Sequence, residues 1–126
     1  MRLLADTHVL IWWLTDAEMI SRRALSALED PINTLYVSAA TGYEIELKRP
    51  RDPLLRRLPL NLEDAIREEG FTWAPLTPSD CIAAGRLPLH HRNPWDRLLI
   101  AQALQDGLVV VSADRRFSDY GVTTLW

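Results

Sequence analysis

Short apolar runs alternate along this chain with longer segments in which apolar residues recur every three or four positions. Four of the apolar runs predict buried β-strands: Arg2–Ala5, Thr34–Val37, Phe71–Pro75 and Leu108–Val111. The last of them is uninterrupted, which is typical of a strand covered on both faces in a parallel sheet. The closing segment, Val122–Trp126, predicts an edge strand.

Helical periodicity and capping residues mark the segments between these runs. They predict helices over Thr7–Leu14, Glu18–Glu29, Ala39–Arg49, Asn61–Glu69, Thr77–Leu87 and Pro94–Gln105, and a short helix over Arg115–Tyr120. Ser38 and Asn61 are expected N-caps, and Gly70 and Gly107 are expected stops. The proline-rich segment Pro50–Asn61 is expected to be a loop with one helical turn.

Strands that alternate with helices in this way predict an α/β sandwich with a mostly parallel central sheet flanked by helices. A length of 126 residues suits one compact domain, 1–126, and the chain contains no internal repeat.

The formal net charge of −3 does not by itself favour a nucleic-acid binder, because phosphate contacts need a basic surface. All the basic residues except Lys48 are arginine, however, and arginine binds phosphate in a bidentate manner. Codon usage in a GC-rich genome explains the arginine excess equally well. With Cys81 as the single cysteine, neither a disulfide framework nor a cysteine-based zinc site is expected. No apolar stretch approaches the ~20 residues of a membrane span, and we expect a cytoplasmic protein.

Two acidic residues follow predicted strands at positions where a parallel sheet binds ligands. Asp6 comes directly after the first strand, and Asp114 follows the strand that ends at Val111. Because ligands bind beyond the carboxyl ends of the strands in open α/β sheets, these two carboxylates are expected to lie close together. They would repel each other unless a cation or a proton sits between them, and oxygen ligands suit Mg²⁺ or Mn²⁺.

Each candidate acid also has a purely structural interpretation. Asp6 and Asp114 are placed to cap the helices that follow them, and Asp96 occupies a first helical turn, where the helix dipole favours an acid. Glu44 is in the middle of a helix and four residues before Lys48, so a solvated ion pair explains it. The His90-His91 pair could contact substrate or metal, although a surface position is the simpler interpretation.

Four segments, taken in order, resemble a PIN-domain protein, and more narrowly a VapC-type toxin of a toxin–antitoxin pair. They are Leu3–His8 with its Asp-Thr step, Ser38–Lys48 with its Tyr-Glu-Ile core, His91–Ala103 with its Asn-Pro-Trp-Asp-Arg core, and Val111–Asp114 with the later Phe117 and Tyr120. In the second and third segments, Tyr43, Asn93 and Trp95 stand where the family more often has Trp, Asp and Phe. The resemblance covers nearly the whole chain.

This resemblance implies a PIN-like three-layer sandwich and a Mg²⁺- or Mn²⁺-dependent endoribonuclease. It implies that the metal-site and catalytic acids are Asp6, Glu44, Asp96 and Asp114, with Thr7 and Ser112 forming hydrogen bonds at the site. Structured RNA such as tRNA or rRNA would be the substrate, a cognate VapB-like antitoxin would neutralise the toxin, and a homodimer is implied. Arg97 and Arg115 are close to the acids in sequence and could bind substrate phosphates, whereas Arg116 is more simply explained by surface ion pairing. Arg97 begins an apolar helix, and a role in supporting one of the acids is the alternative for it.

Two other functions remain open at this level. One is a PIN-fold binding module with little or no catalysis, although four intact acids argue against it. The other is a different α/β protein with an acidic pocket, such as a phosphatase or a receiver domain. A receiver domain would need a late lysine near the acids, and Lys48 is the only lysine.

Overall fold

The computed structural model describes all 126 residues and contains one five-stranded sheet in which every adjacent pair of strands is parallel. The strands are β1 (Arg2–Ala5), β2 (Thr34–Ser38), β3 (Phe71–Ala74), β4 (Val109–Val111) and β5 (Thr124–Leu125). Their order in the sheet is β3-β2-β1-β4-β5, which puts β5 at an edge. The predicted parallel α/β sheet is confirmed, and so is the edge position of the last strand.

Helices connect the strands. The α-helices are α1 (Thr7–Thr15), α2 (Arg22–Glu29), α3 (Ala39–Lys48), α4 (Leu62–Glu68), α5 (Pro78–Arg86) and α6 (Pro94–Asp106). Short 3₁₀ helices cover Ala17–Met19, Arg49–Arg51, Leu55–Arg57 and Arg115–Tyr120. None of the helices is long and apolar enough to cross a membrane.

Alternation along the strands divides the core between the two faces of the sheet. Leu3 and Ala5 of β1 belong to a cluster of 18 buried residues to which α1, α2 and α4 contribute. Leu4, between them, belongs to a second cluster of 9 buried residues that contains the apolar face of α6. The sheet is therefore the middle of three layers, as the predicted sandwich requires.

The direction in which successive strands are added to the sheet reverses at β1. The chain adds β2 and β3 on one side of β1 and then crosses over to add β4 and β5 on the other. In the register of β1 with β4, Ala5 lies opposite Val111, so Asp6 and Ser112 leave the sheet side by side. This is the topological switch point, where open α/β sheets bind their ligands.

Two predicted local features differ in the structure. The helix expected over Glu18–Glu29 is divided, because Ile20 is extended and the Ser21 hydroxyl caps a new helix by accepting from the backbone N–H of Ala24 at 3.1 Å. Asn61 precedes α4 as expected, but its side chain makes no capping hydrogen bond.

Candidate metal centre at the switch point

Asp6 is held at the end of β1 by hydrogen bonds on both sides. Its backbone N–H donates to the Val111 carbonyl at 3.1 Å, which ties it to β4. Its Oδ1 accepts from the N–H of Val9 at 2.8 Å and so caps α1. The cap that the sequence allowed is therefore formed, and it fixes the carboxylate, 4% exposed, at the edge of the sheet.

Burial makes this carboxylate a poor place for an uncompensated charge. It raises the pKa of Asp6 from 3.8 to about 6, although hydrogen bonds from Ser112 and Val9 and the nearby His8 act in the opposite direction. The charge of Asp96 raises the pKa further. A bound cation would favour the ionised form that these surroundings disfavour.

Glu44 is buried rather than solvated, which corrects the simpler interpretation of its mid-helix position. It is 3% exposed because α3 packs against α1 and α6 at this point. Its Oε2 forms the expected ion pair with Lys48, at 2.6 Å from Nζ. Its Oε1 is buried and has no hydrogen-bond partner. An orphaned carboxylate oxygen in the interior is costly unless a cation or a donor completes it.

Asp96 is in the first turn of α6, and the cap of that helix is a different residue. Asn93 Oδ1 accepts from the N–H groups of Trp95 and Asp96, at 3.0 and 3.2 Å. The Asp96 carboxylate is consequently free of the capping role, and its Oδ2 lies 2.8 Å from Nε2 of His91. Burial raises the pKa of Asp96, His91 lowers it, and the charges of Glu44 and Asp114 raise it.

His91 is the residue for which the surface interpretation was wrong. It is 3% exposed, and its Nε2 lies 3.5 Å from Asp114 as well as close to Asp96. Its backbone N–H donates to the Tyr120 hydroxyl at 2.8 Å, and its ring meets Phe117 edge-on. Ligand atoms of His91, Asp96 and Asp114 all lie within 4.8 Å of one another. His90, its neighbour, is exposed as expected.

Asp114 is at the outer side of the cluster and is engaged by Arg116. Its carboxylate accepts from the Arg116 backbone N–H at 2.9 Å and from the Arg116 guanidinium at 2.9 and 3.1 Å. These contacts, with the side-chain hydrogen bond foremost, lower the pKa of Asp114. The expected cap and the expected surface ion pair of Arg116 are both present.

The four residues expected to assist the acids, two by hydrogen bonding at the site and two by binding phosphate, differ in their surroundings. Thr7 is buried, and its hydroxyl lies 3.0 Å from that of Thr41, beside Glu44 on α3. Ser112 is also buried, and its Oγ accepts from the N–H of Asp114 at 3.0 Å. Arg115 is exposed.

Arg97 does not fit the expected phosphate-binding role. Its Nη2 donates to the carbonyls of Ala84 and Leu87, each at 2.9 Å, and its Nη1 donates to the carbonyl of Pro88 at 2.9 Å. A further bond at 3.2 Å reaches the carbonyl of His91. Because these donors are occupied by backbone carbonyls, Arg97 secures the loop that carries His91 rather than a phosphate.

The four acids come from four segments, and their charges act on one another: Asp96 raises the pKa of Asp6, and Glu44 and Asp114 raise that of Asp96. Of the four, only Asp96 and Asp114 belong with His91 to the cluster whose ligand atoms lie within 4.8 Å of one another. Asp6 and Asp114 line one surface cavity of about 280 Å³ together with His8. Glu44 and Thr7 line a second cavity of about 120 Å³, which His8 also borders. Carboxylates with raised pKa values and an orphaned oxygen suit a hard divalent cation.

Comparison with known proteins relates this geometry to a family and to named relatives. The family model described as the PIN domain matches residues 3–122. Ribonuclease VapC22 of Mycobacterium tuberculosis is 28% identical over 123 residues, which cover 93% of this chain and 90% of that protein.

Solved structures share the architecture at lower identity. DNA-bound VapBC of Salmonella typhimurium has a TM-score of 0.74 at 16% identity, covering 99% of this chain and 97% of that chain. VapBC2 of Rickettsia felis, bound to a DNA fragment from its promoter, has a TM-score of 0.69 at 10% identity, covering 99% and 98%. FitAcB of Neisseria gonorrhoeae has a TM-score of 0.67 at 20% identity, covering 98% and 96%. These likenesses show the fold, and the family model spans nearly the whole sequence. The chain belongs to the PIN-domain family.

Proposed function

We propose that this protein is a divalent-metal-dependent endoribonuclease of the VapC toxin type. The observation that carries the proposal is the buried acidic cluster at the switch point, in which Glu44 Oε1 has no partner and burial raises the pKa of Asp6. Membership of the PIN-domain family and the likeness to a protein named Ribonuclease VapC22 support the nuclease activity.

The acids that would hold Mg²⁺ or Mn²⁺ are Asp6, Glu44, Asp96 and Asp114. The bound ion would lower the pKa of a water molecule and neutralise charge that develops on the phosphoryl group. His91 accepts the Asn93 N–H at Nδ1, which leaves the proton on Nε2, and that nitrogen faces the carboxylates of Asp96 and Asp114. His91 would therefore help to position these two acids, and the oxygen ligands themselves suit Mg²⁺ or Mn²⁺.

The remaining site residues position the acids and the substrate. Val9 N–H holds the Asp6 carboxylate, Ser112 stabilises its ionised form, and Thr7 supports α3 beside Glu44 through Thr41. The exposed Arg115 follows Asp114 directly and is available to bind a phosphate of the RNA. Hydrolysis then breaks one phosphorus–oxygen bond of the backbone while the oxygen of water forms the new one.

The proposed substrate is structured RNA such as tRNA or rRNA, and the proposed partners are a VapB-like antitoxin and a second copy of the toxin. The solved structures that share the fold include complexes named VapBC, two of them bound to DNA. A ribonuclease that is toxic to its own cell would need restraint, and a VapB-like antitoxin would supply it.

The test is cleavage of total RNA by the purified protein with Mg²⁺, with Mn²⁺ and with EDTA. We expect cleavage with either metal, none with EDTA, and none for Asp6→Asn, in which the amide oxygen preserves the helix cap. Asp119→Asn, at an exposed acid of the 3₁₀ helix that follows Asp114, is the matched control and should remain active.

The alternative is a PIN-fold binding module with little or no catalysis. It predicts no metal-dependent cleavage by the natural protein in this assay, whatever the RNA. Cleavage that survives both EDTA and Asp6→Asn would instead overturn the proposed metal site. Mapping the new 5′ ends after brief expression would identify the RNA and the position of the cut.

A further inference from the structure

Two aromatic residues directly precede two of the site acids. Tyr43 comes before Glu44 on α3, and Trp95 comes before Asp96 on α6. The packing of these helices brings the two rings together, with centroids 6.4 Å apart and planes inclined by 32°. The two rings form one aromatic surface, and Lys48, which contacts both the Trp95 ring and Glu44, places it beside the candidate metal centre.

A single cation joins this surface to the acids. Lys48 Nζ lies 2.6 Å from Oε2 of Glu44 and 5.0 Å from the centroid of the Trp95 ring. An ammonium over an aromatic face is a stabilising contact. The positive charge of Lys48 thus stands between the carboxylate and the ring, where a phosphate next to a stacked base would need it.

Core packing does not account for Tyr43. Its side chain is 64% exposed, and it is the only aromatic residue among the large apolar side chains that the fold leaves exposed. Trp12, Trp13 and Trp73, by contrast, pack against the larger core cluster, and Trp95 is half-buried and packs against the smaller one, so Tyr43 is the exposed member of the pair. Exposed aromatic faces with a cation beside them are the elements with which proteins stack unpaired nucleobases.

We propose that the Tyr43–Trp95 surface stacks an unpaired nucleobase of the RNA next to the scissile phosphate, with Lys48 facing the adjoining backbone. This rests on the proposed ribonuclease function and adds a substrate requirement to it. A base inside a duplex is stacked on its neighbours and cannot reach the surface. The enzyme therefore cuts beside an unpaired nucleotide, in a loop or single-stranded segment of a structured RNA.

The experiment uses a hairpin RNA whose loop contains the mapped cut, with abasic nucleotides introduced one at a time around it. An abasic nucleotide keeps the phosphate and removes only the base. For the natural protein we expect kcat/KM to fall about 5- to 150-fold at one flanking position, which is the stacking contribution of one base. The kcat/KM of Tyr43→Ala should be lower by a similar factor on the intact hairpin. The abasic change should then have almost no further effect on it.

Two variants serve as controls. Tyr43→Phe keeps the ring and should retain both the activity and the sensitivity to the abasic position. Leu47→Ala removes an exposed apolar side chain, 53% exposed, one turn further along α3, and should behave as the natural protein does. A binding measurement complements the kinetics and uses the inactive Asp6→Asn protein. RNA that keeps the base should quench part of its tryptophan fluorescence. That part of the quenching should be absent when Trp95→Phe is added.

The outcomes separate this proposal from the one on which it rests. If the natural protein cleaves the hairpin but Tyr43→Ala remains as sensitive to the abasic position, the stacking surface is wrong and the ribonuclease stands. If no RNA is cleaved with either metal, the ribonuclease fails, and absence of Trp95 quenching by RNA would overturn the stacking surface as well. If Tyr43→Ala changes the oligomeric state by light scattering and leaves the abasic effect intact, the face binds protein instead, and the proposal is overturned.

Discussion

Replacing Asp6 with asparagine should abolish activity and yet stabilise the metal-free protein. The amide oxygen of Asn can accept the hydrogen bond that Val9 N–H now donates to Oδ1, so the cap of α1 survives. What the change removes is the negative charge, which in the natural protein is buried close to Asp96.

The magnitude follows from the pKa of Asp6, which burial raises from 3.8 to about 6 in the folded state. The folded protein therefore holds this proton more tightly than the unfolded chain. The stability that the proton contributes is complete below about pH 4 and is lost as the pH rises to about 6. The loss amounts to roughly 3 kcal/mol above that pH. Asp6→Asn should avoid this loss of stability. Its gain in unfolding free energy over the natural protein should be about half as large at pH 5 as it is above pH 6.

The assay is urea unfolding at pH 5 and pH 7.5, first in EDTA and then with Mg²⁺. In EDTA the variant should exceed the natural protein in unfolding free energy, and more so at pH 7.5 than at pH 5. Added Mg²⁺ should stabilise the natural protein and not the variant, because only the natural protein keeps the full set of carboxylates. Asp119→Asn is the control, since that acid is exposed.

Two results would refute this reasoning. One is an Asp6→Asn protein that is less stable than the natural one in EDTA at pH 7.5. The other is a gain in stability that does not change between pH 5 and pH 7.5, because a gain of that kind does not arise from the ionisation of Asp6.

Two further predictions concern the arginines near the site. Arg97→Met should lower the unfolding free energy in urea by roughly 3 kcal/mol or more, because three backbone carbonyls lose a charged donor at 2.9 Å. Arg97→Lys should rescue little of this, since an ammonium cannot reproduce the guanidinium fork; unchanged stability in both variants would show that these bonds contribute nothing net. Arg116→Ala should raise the pKa of Asp114 towards its ordinary value, because Arg116 is the main cause of its lowering. Carboxyl NMR titration of the metal-free protein checks this, and an unaltered Asp114 titration would mean that the ion pair does not persist in solution.

Local sequence signals predicted the backbone well where the residues that determine a helix end lie within the same short segment. The Thr77–Asp80 start of α5 forms both hydrogen bonds of a capping box, and Gly107 ends α6 with a φ of 65°. The same local logic failed at Glu18–Glu29, where periodicity continues through Ile20 but the Ser21 hydroxyl begins a new helix. Apolar spacing does not distinguish one helix from two when a cap lies inside the periodic segment.

Side-chain surroundings were less predictable, because they depend on contacts between distant segments. Glu44 and Lys48 were expected to form an ion pair from their spacing, and they do. Whether that pair is solvated was decided by the packing of α1 and α6 against α3, which buries the carboxylate. His91 and Arg97 differ from expectation for the same reason, since the partners of each include residues from other parts of the chain, Asp114 for His91 and Ala84 for Arg97.

The sequence by itself determined the order of strands and helices, the parallel sheet, and the delivery of Asp6 and Asp114 to one edge, because periodicity and strand ends are local properties of the chain. Only the tertiary structure decided that Glu44 is buried with one oxygen unpartnered, that His91 joins the acids, and that Arg97 binds backbone rather than phosphate. Those outcomes depend on how segments that are distant in the sequence bury one another and form hydrogen bonds with one another. No local pattern contains that information.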